Sequence, residues 1–185
     1  MVKDVLNRAE TGMKKGVEAT VREFAGVRTG RASTALLQGI TVECYGTTTP
    51  LQQLATIAVP ETRLITIQPW DQSLVPAIEK AILKSDLGIT PSSDGRAIRI
   101  AIPPLTEERR KELVRIVKRM AEEGRVAIRN VRRDANEKLK GLEKQKQISE
   151  DDLKKGGESV QKLTDKYIKE IDTALANKEK EILEF

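Results

Sequence analysis

Residues 125–136 read RVAIRNVRRDAN, and this stretch carries the helical period that decides the fold. On an α-helix, at about 100° per residue, its apolar side chains Ile128, Val131 and Ala135 share one face. Four arginines fall within a different arc of about 100°, namely Arg125, Arg129, Arg132 and Arg133. The stretch therefore predicts a helix that buries an apolar stripe and presents a row of cations, with Arg132 opposite the stripe.

The charge along this helix is one-sided. Residues 109–133 contain ten Lys or Arg and three acidic side chains, a net charge of +7, whereas the whole chain carries +5. An ordinary solvated helix mixes the two signs. Arginine offers a planar, permanently charged fork that binds phosphate oxygens in pairs. The segment therefore favours a surface for a structured nucleic acid, with a merely solvated face as the alternative.

Two other segments show the same helical period, so three long amphipathic helices are expected. The first apolar stripe begins at Val2 and ends near Thr29-Gly30, and the last extends from Leu153 to Ile182. Such helices are stable only when they bury their stripes against one another. We expect an α+β fold in which residues 1–30 and 105–185 form an elongated three-helix bundle and residues 31–104 form a small inserted α+β domain. One continuous domain is the alternative.

The chain crosses twice between the two expected domains. Glycine frees one crossing, and two prolines stiffen the other because their rings restrict φ. Paired short linkers permit a hinge and limit its freedom. The residues expected to form this hinge are Gly30, Arg31, Ala32, Ser33, Pro103, Pro104 and Leu105.

Within the insert, alternating apolar side chains predict strands on both sides of a helix. Ser73 is expected to cap that helix, which would continue to about Leu87 and stop at Gly88. Pro60-Glu61 is expected to be a turn between strands. The strands are predicted at residues 40–45, 54–59, 63–68 and 97–102.

The residue types that catalysis and metal binding require are scarce. The chain has no histidine and one cysteine, Cys44, which is expected to be a buried strand residue and not a reactive thiol. No glycine-rich phosphate loop is present. We therefore expect no enzyme activity, no cofactor, no metal site and no small-molecule substrate. No apolar run approaches membrane-spanning length, so a cytoplasmic protein without membrane contact is expected.

Several motifs, in order along the chain, resemble the bacterial ribosome recycling factor family. They are VRTGRAS at 27–33, YGTTTPLQQLA at 45–55, PWD at 69–71, AIEKAILKSDLGI at 77–89, IRIAIPPLTEERR at 98–110, AIRNVRRDAN at 127–136 and the closing KEKEILEF at 178–185. The resemblance covers the chain from end to end. It implies an L-shaped, monomeric, two-domain protein of transfer-RNA size, with a three-helix bundle and a small β/α/β sandwich domain.

The resemblance also implies a function and a set of binding residues. Such a factor binds the A-to-P region of the ribosome and, with elongation factor G and GTP, splits the post-termination complex into subunits without hydrolysing anything itself. Its bundle contacts large-subunit ribosomal RNA, and its small domain faces elongation factor G and the small subunit. The candidate RNA-binding residues are Arg28 and Arg31 of the VRTGR motif, together with Arg125, Arg129, Arg132 and Arg133.

The residues alone leave one alternative function open. A helical adaptor could use the same basic face to bind an acidic protein partner. Salt-dependent binding to isolated ribosomal RNA or to large subunits distinguishes the two. A surface that binds phosphates releases counterions, so its affinity for RNA must fall as salt rises.

Overall fold

The computed structural model describes residues 1–184, which divide into two compact units. Met1–Arg28 and Glu107–Glu184 form the first unit, and Thr29–Thr106 form the second. The last residue of the KEKEILEF motif, and of the expected bundle segment, lies outside the described residues. The regular elements, in chain order, are α1 (Val2–Ala25), β1 (Thr41–Cys44), β2 (Thr47–Pro50), β3 (Ala55–Glu61), β4 (Leu64–Pro69), α2 (Val75–Lys84), β5 (Ser92–Ser93), β6 (Ile98–Ala101), α3 (Glu107–Lys144) and α4 (Glu150–Glu184).

The first unit, here called the bundle, consists of α1, α3 and α4. Each helix turns one apolar stripe inward, and the most deeply buried side chains include Met13, Val117, Leu139 and Ile171. Burial of these stripes stabilises helices that would be marginal alone. The turn before α4 ends in a reciprocal cap, because Ser149 Oγ accepts from the Asp152 amide at 3.0 Å and Asp152 Oδ2 accepts from the Ser149 amide at 3.3 Å.

All three helices of the bundle come close together at Gly124 on α3. A Cβ atom added there would overlap the hydroxyl of Thr20 on α1 and lie 3.0 Å from Ile171 Cδ1 on α4. Thr20 is buried, and its hydroxyl donates to the Gly16 carbonyl at 2.9 Å. The missing side chain of Gly124 therefore permits the close approach of all three helices.

The second unit, here called the small unit, packs α2 and a β1–β2 hairpin around an antiparallel sheet. The strands of that sheet lie in the order β3-β4-β6-β5. Its core is aliphatic, with Ile65, Ile67, Ile78, Ile82 and Ile98 almost fully buried. Alternate positions of β4 and β6 face this core, as the period of two predicts.

Both chain crossings are tied to the same turn of the small unit. The Ala32 amide donates to the Thr62 carbonyl at 2.7 Å, and the Ile102 amide donates to the Arg63 carbonyl at 2.8 Å. Ala32 is buried in the small-unit core, and Ser33 caps the short 3-10 turn that follows it. The structure thus holds these residues in the small unit.

Some predicted element boundaries are wrong. The first helix ends at Ala25 and not near Gly30, since the Gly26 amide bonds to the Arg22 and Glu23 carbonyls and tightens the last turn. Pro60 and Glu61 belong to β3 and not to a turn, with a register shift between Ala58 and Glu61. Strand β3 lies at the sheet edge, where a proline without an amide hydrogen is tolerated.

The predicted cap of α2 is also wrong. The capping residue is Asp71 and not Ser73. The Asp71 carboxylate accepts from the Ser73 amide at 3.0 Å and caps a 3-10 turn at Gln72–Leu74. The α-helix begins only at Val75 and ends at Lys84, where the Ser85 hydroxyl donates to the Ile82 carbonyl. The short strands β2 and β5 were not predicted, because their threonines and serines carry no apolar alternation.

Candidate nucleic-acid interface

The net charge of the protein is concentrated in the bundle. Thr29–Thr106 contain six basic and six acidic side chains, so the whole charge of +5 belongs to the bundle. Most of it lies on α3, whose inward stripe runs from Leu113 to Leu139. Because the apolar positions face inward, the arginines between them are placed at the flank and on the outside of the helix.

Arg125 is held by two carboxylates. Its Nε donates to Asp172 Oδ1 of α4 at 2.8 Å, and its Nη2 forms an ion pair with the same oxygen at 2.7 Å. Its Nη1 donates to Glu122 Oε2 at 2.9 Å. Its side chain is 19% exposed. Partial burial lowers the pKa of Arg125, but the bonds to Asp172 and Glu122 outweigh it and raise that pKa. Arg125 is therefore a fixed charge that joins α3 to α4.

Glu122 connects Arg125 to Arg129. Its second oxygen, Oε1, accepts from Arg129 Nη1 at 3.2 Å. The bonds from Arg125, and then from Arg129, lower the pKa of Glu122 below its usual value. Two arginines of the predicted arc thus share one carboxylate that lies on the same helix.

Arg132 and Arg133 have no acidic partner in the described part of the chain. Arg133 Nη1 donates to the Asn130 amide oxygen at 3.2 Å, and Arg133 is exposed. The prediction that Arg132 lies opposite the apolar stripe is wrong, since Arg132 is half-buried. It lies four residues after buried Ile128 and three before buried Ala135, and both spacings place it beside the stripe.

Arg28 and Arg31 lie near the first chain crossing. Arg28 is the last bundle residue before the small unit, and both side chains are exposed. Gly30 between them has φ of +81°, a left-handed conformation that glycine adopts without strain.

The surface of the small unit carries one feature that sequence reasoning missed. Tyr45 has a φ of +52° at the β1–β2 turn, and its hydroxyl donates to Asp71. The hydrogen bond to Asp71 raises the pKa of Tyr45, and the same bond, followed by those from Ser73, lowers the pKa of Asp71. Trp70 beside this pair is exposed. The pair joins the hairpin to the start of the α2 region.

No cluster of His, Cys, Asp or Glu within residues 1–184 has the arrangement of a metal site. Cys44 is buried, and its thiol lies 3.7 Å from the Thr49 hydroxyl. Across the same residues, no helix combines the length and apolar character that a membrane crossing demands.

The pairing of Glu122 was readable in part from the sequence, and the role of Asp172 was not. Glu122 precedes Arg125 by three residues and Arg129 by seven, so all three share a helix face. Asp172 lies 47 residues beyond Arg125 along the chain. Its contact depends on the register between α3 and α4, which no local pattern specifies.

A bundle interrupted after its first helix by a small α+β unit, with a cationic face on α3, defines a class of two-unit, basic helical proteins. The sequence profile described as ribosome recycling factor matches residues 20–183. A ribosome-recycling factor of Carboxydothermus hydrogenoformans is 60% identical over 183 residues, which cover 99% of each chain. The chain therefore belongs to the ribosome recycling factor family, as the motifs predicted.

Other relatives agree over the full length. The ribosome-recycling factor of Syntrophomonas wolfei is 58% identical over 100% of both chains. The solution structure of a ribosome recycling factor matches with a TM-score of 0.72 and 53% identity, covering 100% of this chain and 98% of that one. This match confirms the predicted α+β fold, with a helical bundle and a small β-sheet domain.

One solved assembly contains such a factor in a functional setting. It comprises models for the T. thermophilus ribosome recycling factor and the E. coli elongation factor G bound to the E. coli post-termination complex. The factor in it matches this chain with a TM-score of 0.62 and 50% identity, covering 99% of each chain.

Proposed function

We propose that this protein recycles ribosomes in the bacterial cytoplasm. With elongation factor G and GTP it splits the post-termination complex into subunits after peptide release, and it catalyses no reaction itself. The bundle binds large-subunit ribosomal RNA in the A-to-P region, and the small unit faces elongation factor G and the small subunit. Family membership supports the activity, and the solved assembly of a 50% identical factor with elongation factor G supports the partners.

The RNA-binding surface is assigned to α3 because the positive charge of the molecule is concentrated there. Residues 109–133 of α3 hold a net +7, whereas the small unit is neutral. A structured RNA presents closely spaced phosphates, which attract such a face and release counterions when they bind it. Arg132 and Arg133, which have no acidic partner within residues 1–184, are the arginines best placed for direct phosphate contacts.

The proposed function is tested by subunit splitting. Purified post-termination ribosomes are mixed with this protein, elongation factor G and GTP, and free subunits are followed by light scattering. We expect splitting only when all three components are present. Omission of each one in turn provides the controls. Splitting at the same rate without this protein, or none with it, would contradict the proposal.

We further propose that the small unit moves as a body during splitting. Ala32 and Ile102 are anchored to the β3–β4 turn, so the hinge narrows to the segments Thr29–Arg31 and Pro103–Thr106. The left-handed conformation of Gly30 lies in the first segment. Short paired segments of this kind permit rotation while keeping the two units together.

Fluorescence energy transfer between the two units tests this motion. Lys144→Cys on the bundle and Arg96→Cys on the small unit give exposed labelling positions, in a Cys44→Val background that removes the native thiol. We expect the distance distribution to change when elongation factor G and GTP join the ribosome-bound protein. One narrow distribution, identical before and after this addition, would show that the units do not move.

A further inference from the structure

The carboxylate of Glu122 lies within the basic face of α3. Its two oxygens accept from two different guanidinium groups, with Arg125 Nη1 at 2.9 Å from Oε2 and Arg129 Nη1 at 3.2 Å from Oε1. Its side chain is 57% exposed. A phosphate group that bridges two arginines makes the same kind of charge-assisted contacts. The carboxylate of Glu122 therefore occupies the position between two arginines where a phosphate of the proposed RNA partner could bind.

The two arginines differ in how they are held. Arg125 keeps its hydrogen bond and ion pair with Asp172 of α4, so it stays in place whether or not Glu122 contacts it. Arg129 has a side chain that is 37% exposed, and within residues 1–184 Glu122 is its ion-pair partner. The Arg129–Glu122 contact can therefore open without disturbing the contact between Arg125 and Asp172 that joins α3 to α4.

Arg129 also lies next to an arginine proposed to contact RNA. Arg132 follows it by three residues on the same side of α3 and has no acidic partner in the described chain. A phosphate that approaches the Arg129 guanidinium from this side would meet the negative charge of Glu122, whose Oε1 lies 3.2 Å from Arg129 Nη1. Repulsion between that phosphate and the carboxylate favours release of Arg129 from Glu122.

We propose that Glu122 is a resident counterion, which a phosphate of ribosomal RNA displaces from Arg129 when the bundle binds. The inference rests on the proposed function, because it needs an RNA phosphate at this face. Exposed ion pairs contribute little to stability, so the exchange is readily reversible. Arg125 then acts as a brace that positions α3 against α4, and Arg129 joins Arg132 as a phosphate ligand.

Competition predicts that removing the charge of Glu122 tightens binding. Glu122→Gln keeps the size of the side chain, and we expect it to bind purified large ribosomal subunits about two- to fivefold more tightly than its control, the range that an exposed ion pair allows. The matched control is Glu123→Gln. Glu123 is the next residue, is exposed and has no ion-pair partner within residues 1–184, and its substitution changes the net charge equally.

A double-mutant cycle shows whether Glu122 acts through Arg129. Glu122→Gln is combined with Arg129→Ala, and dissociation constants for large subunits are measured at one fixed salt concentration. We expect the gain from Glu122→Gln to disappear when Arg129 is absent. Thermal melting accompanies each variant, and Glu122→Ala provides a second substitution at this exposed site.

The outcomes separate this inference from the proposed function. Equal or weaker binding by Glu122→Gln than by Glu123→Gln overturns the inference, as does a gain that persists without Arg129. The proposed function still stands in those cases if the unaltered protein binds large subunits and splits ribosomes. If the unaltered protein neither binds nor splits them, both fail.

Discussion

Replacing Arg132 by alanine is expected to weaken binding to large ribosomal subunits by about 1–3 kcal/mol, the usual loss for an arginine fork at a nucleic-acid contact. Arg132 lies within the +7 segment and, among residues 1–184, has no acidic side chain that occupies its guanidinium. The logarithm of the binding constant should fall linearly with the logarithm of salt, and the variant should lower that slope by about one. Equilibrium binding across a salt series measures both quantities.

Two variants show whether this effect is specific. Arg119→Ala removes the same charge from an exposed position on another side of α3, and we expect it to lower affinity much less. Arg132→Lys keeps the charge but loses the fork, so binding should recover only in part. Equal losses in Arg119→Ala and Arg132→Ala would mean that net charge alone governs binding.

Stability must be measured on the same Arg132 variant. Because Arg132 is half-buried beside the apolar stripe, loss of its stem should lower the free energy of unfolding slightly, by under about 1 kcal/mol. Thermal melting and binding on one preparation separate the two effects. If the melting temperature collapses while the folded fraction binds normally, Arg132 supports the bundle and is not an RNA contact.

Replacing Gly124 by alanine is expected to lower the free energy of unfolding by up to about 2 kcal/mol. The added methyl group would overlap the Thr20 hydroxyl and crowd Ile171, and overpacking a close contact costs about 1–3 kcal/mol. Alanine returns about 1 kcal/mol through its better helix propensity, which leaves a net loss. Urea unfolding followed by circular dichroism measures the change.

The same helix offers a matched control. Gly141 also lies in α3, and a Cβ added there meets no atom within 4 Å. Gly141→Ala should therefore raise the free energy of unfolding by up to about 1 kcal/mol. Thr20→Ala removes the overlapping hydroxyl, so Gly124→Ala should be better tolerated in that background. Equal stability of Gly124→Ala and Gly141→Ala would refute a tight crossing of the helices at Gly124.

The helices could be predicted from the sequence more reliably than the strands. An apolar stripe with a period of 3.6 that extends over dozens of residues is recognisable even when single positions deviate from it. For this reason α3 and α4 could be predicted from the sequence. The polar strand β2, at Thr47–Pro50, had no such signal, because its residues become a strand only by pairing with β1. The local sequence around Pro60 predicted a turn, but Pro60 lies in the edge strand β3, where a proline without an amide hydrogen is tolerated.

The candidate site was predicted in the same uneven way. Helical spacing alone placed four arginines on one arc, but it treated them as equivalent. The structure distinguishes them, since Asp172 holds Arg125, Glu122 shares Arg129, and Arg132 lies half-buried without an acidic partner among the described residues. Partnership between helices depends on their relative register and rotation, which local spacing does not contain.

The amino-acid pattern by itself determined the class of fold and the location of the basic face, because periodicity and charge are local properties of the chain. Tertiary packing alone decided which cations remain available to a partner and where the helices touch. Asp172 reaches Arg125 from 47 residues away, and Thr20 and Ile171 approach Gly124 from two other helices. Such contacts arise only when α1, α3 and α4 bury their stripes together, and their register then selects which charges are paired.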